Sequence, residues 1–208
     1  MCKRESVAIT AALLMIACTS IPVRAQDSFS LDESMQCFRE SGSMSAPCRD
    51  GVIPIANVIY RWRNWDPVVV NRVAEALIAD AASPDVERSI NAIVALGQFG
   101  APNGKNGELQ GWPGAMKHLE EAFLVAPHPE YVLSTMPTQT DKAAAMEFLS
   151  RVVRGELRPD AVVSRKLAAQ DLSRAGPSGV AELRMIRRQG IDEPAVAHEV
   201  ERLLGEQE

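Results

Sequence analysis

Residues 160–190, DAVVSRKLAAQDLSRAGPSGVAELRMIRRQG, predict two consecutive helices joined by a tight turn. Gly176 and Pro177 mark the turn, because glycine suits the end of a helix and proline suits the first position of the next. On both sides of the turn, apolar residues recur three and four positions apart, which is the spacing of one helix face. They are Val163, Leu167, Ala168 and Leu172 before the turn, and Val180, Leu183 and Ile186 after it.

The same signals recur along the chain from residue 52 onward. Asp66-Pro67 places an N-cap residue before a proline at the first helical position, and Ser83-Pro84 repeats the pattern. Apolar stripes follow both starts. They comprise Val70, Val73, Ala74, Leu77, Ile78 and Ala81, and then Val86, Ile90, Ile93 and Val94. No segment alternates apolar and polar residues clearly enough to indicate a strand, so we expect an all-α fold.

Helix starts are also regularly spaced. Four prolines lie 35, 35 and 40 residues apart, each between two candidate helices: Pro67, Pro102, Pro137 and Pro177. Residues 167–177, with the apolar positions that follow them, resemble a HEAT repeat, and residues 90–102 form a weaker echo of it. The resemblance implies helix pairs stacked as a short HEAT-like α-solenoid over residues 52–208. An irregular helical bundle is the alternative.

The first 25 residues have the layout of a bacterial secretory signal peptide. Lys3 and Arg4 give a positive start, residues 7–21 form an uncharged apolar run, and small residues allow cleavage after Ala25. The run is shorter than the roughly 20 residues that cross a bilayer, so we expect no transmembrane span. The signal predicts a periplasmic or secreted protein.

Residues 14–18 offer a second cleavage site. They resemble the lipobox of bacterial lipoproteins, in which the cysteine, here Cys18, is acylated, although Met15 stands where leucine is usual. Cleavage before Cys18 would tether the protein to a membrane, whereas cleavage after Ala25 would release it. We predict cleavage after Ala25 and keep the lipid anchor as the alternative.

Cys37 and Cys48 are the two cysteines beyond the signal segment. In an oxidising compartment, an isolated pair of this kind predicts a disulfide. The bond would pin residues 26–51, a polar segment rich in turn residues that we interpret as an N-terminal cap with a short helix. Two unrelated free thiols are the alternative.

The charge of the chain disfavours nucleic acid as a partner. The full chain has a formal net charge of −5, and without residues 1–25 it keeps 19 basic and 26 acidic residues, a net charge of −7. Binding to a phosphate backbone depends on basic surface. We therefore predict no nucleic-acid binding.

Several catalytic motifs are incomplete. Residues 100–106 end like a phosphate-binding loop, but Phe99 stands where its first glycine belongs. His198-Glu199 begins like a zinc-protease helix, but Arg202 replaces the second histidine. Ser178 lacks one glycine of the nucleophile elbow. We predict no catalytic, cofactor-binding or metal-binding residue.

The densest interaction signal is residues 61–65, RWRNW, because Trp and Arg are enriched at binding hot spots. A glycine-rich connection over residues 97–114 carries the third tryptophan and is either a functional loop or a plain insertion. The candidate partner-binding residues are Arg61, Trp62, Arg63, Trp65 and Trp112. Alternatively, Trp62 and Trp65 seal a helix corner against the core.

Together these features predict an exported, non-enzymatic module that binds another exported protein, with an inhibitor or immunity-type protein as one specific form. Stacked helix pairs suit this role because they leave an extended face open for a partner. Two alternatives remain: an envelope lipoprotein scaffold lipidated at Cys18, and a hydrolase of unknown substrate.

Overall fold

A computed structural model describes residues 29–102 and 110–206. These ranges contain α-helices and short 3-10 turns without β-strands, which confirms the all-α prediction. The predicted signal segment, residues 1–25, and Cys18 within it lie outside the described residues. The helices are α1 Leu31–Ser41, α2 Ile55–Tyr60, α3 Pro67–Ala81, α4 Val86–Gly100, α5 Ala115–Val125, α6 Glu130–Leu133, α7 Lys142–Arg154, α8 Val162–Arg174, α9 Pro177–Gln189 and α10 Pro194–Gly205.

Helix starts follow the local cap chemistry. The Asp66 carboxylate accepts a hydrogen bond from the Val68 backbone N–H at 2.7 Å, and Pro67 occupies the first helical position of α3. The predicted start at Ser83-Pro84 is displaced by two residues: Asp85 caps α4, and Pro84 lies before the cap. This happens because the Ser83 hydroxyl accepts from the Asp85 N–H at 3.2 Å and forms a turn of its own.

The turn between α8 and α9 requires glycine at two positions. Gly176 adopts φ 81° and ψ −157°, a backbone region that essentially only glycine populates. At Gly179, an added Cβ would lie 1.9 Å from the Leu172 carbonyl oxygen, so the first turn of α9 approaches the end of α8 too closely for any side chain. The tight turn predicted from residues 160–190 is confirmed and depends on both glycines.

Helices α3 to α10 pack in two layers. The first layer consists of α3, α5, α7 and α9, and the second of α4, α6, α8 and α10, with successive members of each layer in contact. Consecutive helices also contact each other from α3 to α6 and again from α7 to α10, so the pairs stack in chain order. Of the four spaced prolines, Pro67 and Pro177 are the first residues of first-layer helices, and Pro102 and Pro137 lie before the other two. The stacking agrees with helix-pair packing, and the HEAT-like relationship itself stays a prediction.

The N-terminal segment packs onto this array. α1 is the short helix expected in this segment, and it runs for 11 residues, because Ser30 caps its start and left-handed Gly42 ends it. Met35 and Phe38 of α1 belong to the same apolar cluster as the array. The predicted disulfide is confirmed: Cys37 and Cys48 are bonded, with their Cα atoms 5.7 Å apart.

Two predicted apolar stripes are partly wrong. Val86 and Val94 of α4 are exposed, whereas Ser89 and Ala92 are buried. α4 contacts α2, α3, α5 and α6, so its buried side is rotated and widened relative to a single stripe. In α8, Val163 is 66% exposed.

Asp80 and Arg165 are charged residues that lie fully buried between helices. In the Asp80 centre, the fully buried carboxylate of Asp80 in α3 accepts from Arg39 of α1 at 2.8 and 2.9 Å and from Arg88 of α4 at 3.0 Å. In the Arg165 centre, the buried guanidinium of Arg165 donates to the Asp192 carboxylate at 2.5 Å. It also donates to two backbone carbonyls at 3.2 Å, those of Val153 and Pro159.

Candidate partner-binding surface

Trp65 lies in the core at the corner between α2 and α3. Its side chain is 4% exposed, its Nε1–H donates to the Asn57 carbonyl at 3.3 Å, and the Phe29 ring meets it edge-on at 5.2 Å. A side chain so covered has almost no surface to offer a partner. The prediction that Trp65 contacts a partner is therefore wrong. Trp65 seals the helix corner against the core, as the alternative interpretation proposed.

The neighbouring residues remain at the surface. Trp62 is half-buried, and the Arg63 guanidinium lies over its ring, 5.0 Å from the centroid. Arg61 and Arg63 are exposed. The Trp62 Nε1–H is buried and has no hydrogen-bond acceptor among the described residues. The corner thus presents two guanidinium groups beside a partly accessible indole.

Arg63 connects this corner to the glycine-rich connection. Its Nη2 donates to Gln110 Oε1 at 3.1 Å, across 47 residues of sequence. Gln110 is two residues from Trp112, so the structure brings together two features that the sequence predicted separately. Trp112 is half-buried and packs against the core.

The Trp112 ring is held between two other rings. The Phe99 ring lies 5.1 Å away at 51°, and the His118 imidazole stacks on Trp112 at 5.2 Å and 16°. His118 is 5% exposed, and its Nδ1 lies 3.0 Å from a Glu121 carboxylate oxygen. His118 is therefore a buried residue that supports the tryptophan ring.

A network around Thr140 fixes the described end of the connection. The Thr140 hydroxyl donates to the Gly100 carbonyl at 3.0 Å and accepts from the Gly111 N–H at 3.0 Å, and the Trp112 N–H donates to the Phe99 carbonyl at 2.6 Å. A Cβ on Gly111 would lie 2.2 Å from the Gly100 carbonyl oxygen. The connection predicted over residues 97–114 starts later than expected, because α4 continues to Gly100.

Gln139, next to Thr140 in sequence, also belongs to this network. It is 1% exposed, and its amide nitrogen donates to the carbonyls of Gly97 at 3.2 Å and Thr135 at 3.0 Å. Its Oε1 is buried without a hydrogen-bond donor among the described residues and faces Gly100, where an added Cβ would lie 1.7 Å away. Gln139 and Thr140 were not predicted as site residues, because their partners Gly97 and Gly100 lie about 40 residues away and no local motif identifies such contacts.

Three adjoining cavities run from Trp112 toward α8, and we call them the long groove. The first, about 240 Å³, lies beside Trp112 and Met116; the second, about 660 Å³, lies over Pro102 and Pro137. They share Gln110, Gln139 and Thr140. The third, about 470 Å³, shares Pro137 and Lys142 with the second. The groove therefore begins at the residue that binds Arg63.

The third cavity has an apolar floor and a charged rim. The floor consists of Met136, Ala145, Met146 and Leu149. On the rim, Lys142 Nζ donates to the Pro137 carbonyl at 2.6 Å, and Arg174 lies 3.3 Å from the Asp171 carboxylate. Burial raises the pKa of Asp171, an effect that Arg174 opposes.

The incomplete catalytic motifs stay dispersed. Within residues 29–102 and 110–206, no three His, Cys, Asp or Glu side chains gather in a way that could hold a metal ion. Helix α4, which ends at Gly100, stands where a phosphate-binding motif would need a strand. Ser178 is an exposed residue in the first turn of α9. Absence of catalysis stays a prediction.

Comparison with known protein families, with curated proteins and with solved structures finds no match to this chain. In the part of the chain that the structure describes, no helix is both long enough and apolar enough to cross a bilayer.

Proposed function

We propose that this chain is an exported protein-binding module without catalysis of its own, and that it holds another exported protein along one face. That face runs from Arg61, Trp62 and Arg63 to Trp112 and the long groove. One observation carries the proposal: the hydrogen bond between Arg63 and Gln110, which joins the Trp–Arg corner to the start of the groove.

The chemistry of this face suits a protein partner. Trp and Arg bury large areas while offering directed donors, and such residues dominate the energy of many interfaces. The indole ring of Trp112 is preordered by Phe99 and His118, so little side-chain entropy is lost when a partner covers it. The described disulfide supports an oxidising compartment, as the proposed export to the periplasm requires.

Capture from a periplasmic extract tests the proposal. The immobilised protein should retain one partner, which, once purified, forms a complex of fixed stoichiometry in analytical ultracentrifugation. Charge reversal at Arg61→Glu and Arg63→Glu should abolish the complex. The matched control reverses Arg184 and Arg188, which are exposed on α9. Trp65→Ala is unsuitable here because it would report on folding.

Two results would contradict this function: recovery of no partner by the unmodified protein, or equal recovery by the Arg61/Arg63 and Arg184/Arg188 variants. Mass spectrometry of the mature N-terminus tests the location separately. Gln26 as the first residue supports a free protein, whereas an acylated Cys18 supports the lipoprotein alternative.

A further inference from the structure

The apolar end of the long groove can accommodate side chains from a partner. Its volume of about 470 Å³ lies within the range of protein pockets that bury a ligand. Met136, Ala145 and Leu149 on its floor are each less than 5% exposed, so the cavity reaches the packed core. Two of its lining residues are methionines, whose flexible side chains adapt to differently shaped apolar groups.

The rim of this cavity differs in charge from the molecule as a whole. The chain has a net charge of −5, yet Lys142 and Arg174 stand at the rim against one carboxylate, Asp171. The Arg174 side chain is 73% exposed, whereas that of Asp171 is 17% exposed. The cations thus face solvent while the acid lies deeper, and the local surface attracts negative charge.

We infer that this cavity binds a segment of the partner protein in which aliphatic or methionine side chains are flanked by carboxylates. The apolar side chains enter between Met136 and Leu149, and the carboxylates pair with Lys142 and Arg174. The inference rests on the proposed function, since it assigns a chemical class to part of the partner. Exposed charge pairs add specificity more than affinity, so the apolar contact supplies most of the binding energy.

Two synthetic peptides test the inference directly. One is acetyl-Gly-Glu-Leu-Glu-Met-Leu-Glu-Gly-amide, and the other carries lysine in place of each glutamate. Each is titrated into the purified protein labelled with ¹³C at its methionine methyl groups. The signals of Met136 and Met146 are assigned with the variants Met136→Leu and Met146→Leu. The acidic peptide should shift both signals in a saturable manner.

The charged rim predicts the size of the difference. The lysine peptide should bind about tenfold more weakly, because its ammonium groups would lie beside Lys142 and Arg174 and repel them. Lys142→Glu with Arg174→Glu should reverse this preference. Arg184→Glu with Arg188→Glu makes the same change in net charge elsewhere and should leave the preference intact.

Three outcomes would overturn the inference: no shift at either methionine, equal binding of both peptides, or self-association of the protein that covers both methionines in the absence of peptide. Its failure can be told apart from failure of the proposed function. If the Lys142/Arg174 variant captures the partner as well as the unmodified protein does, while the Arg61/Arg63 variant does not, only the groove inference fails.

Discussion

The Asp80 centre buries an acid between two bases, whereas the Arg165 centre buries a base against one acid and two carbonyls. In both, the partners of the buried charge are partly in water: the side chains of Arg39, Arg88 and Asp192 are 38%, 41% and 69% exposed. Removing an exposed partner strands a charge inside the protein, whereas removing the buried member leaves its partners free to be solvated. Loss of the arginines should therefore destabilise the Asp80 centre most, whereas loss of the acid should destabilise the Arg165 centre most.

The largest expected effect is at the Asp80 centre. Arg39→Ala with Arg88→Ala leaves the Asp80 carboxylate buried without a counter-charge, and should lower the free energy of unfolding by about 3–5 kcal/mol. Urea denaturation measures this loss. Adding Asp80→Asn removes the stranded charge and should restore part of the stability. A triple variant no more stable than the double variant would show that burial of the charge is not the cause.

The disulfide pins the same N-terminal helix as the Asp80 centre does. Replacing Cys37 and Cys48 by serine should lower the free energy of unfolding by about 3 kcal/mol, because the short loop they close is no longer constrained in the unfolded chain. Thermal denaturation followed by circular dichroism measures the change. Helical content should be preserved, since the bond lies at one end of the fold. Loss of most of the helical signal would contradict this.

A smaller effect is expected at the Arg165 centre. Gly155 ends α7 with φ 77°, and an added Cβ would lie 2.9 Å from the Arg165 guanidinium carbon. Gly155→Ala should therefore lower the free energy of unfolding by about 1–2 kcal/mol. Gly205→Ala is the control, because a Cβ there meets nothing within 4 Å. Equal stability of the two variants would show that neither the backbone nor the arginine is strained.

The last effect depends on pH and lies in the same C-terminal half. Hydrogen bonds from Arg202 and Gln170 lower the pKa of Glu199 from 4.5 to about 2. The resulting stabilisation is complete above the unfolded value and is lost as the pH falls toward 2. Glu199→Gln should flatten the acid limb of a stability–pH curve, whereas Glu201→Gln on the exposed side of α10 should not. An unchanged curve for Glu199→Gln would refute the assignment.

Local chemistry made several elements predictable. Two examples are the start of α3 at Asp66 and Pro67 and the turn at Gly176 and Pro177. Each depends on residues adjacent in sequence, so the sequence alone is enough to recognise it. The disulfide was predictable because only two cysteines, Cys37 and Cys48, follow the predicted signal segment.

Other features depend on partners distant in sequence. Arg165 interrupts an apolar stripe and looks like a surface residue, but its acceptors come from α7, from the α7–α8 connection and from residue 192. Asp80 likewise pairs with Arg39, 41 residues away. At the candidate surface, the sequence predicted Trp62, Arg63 and Trp112 as contact residues, but not that Gln110 links them. The covered position of Trp65 agrees with the alternative interpretation of residues 61–65 and not with the contact role.

The stacking of helices in chain order also determines the order in which the helices unfold locally. Each helix pair packs mainly against the neighbouring pairs. We therefore expect the backbone amides of helices near an end of the array to be less protected from hydrogen exchange than those in its middle. Cys37–Cys48 ties α1 to the connection before α2, and the Asp80 centre ties α1 to α3 and α4. Helix α10, in contrast, contacts chiefly α8 and α9 among the described helices. Exchange should therefore begin in α10 and advance toward α7, with α1 among the late helices although it lies at the other end.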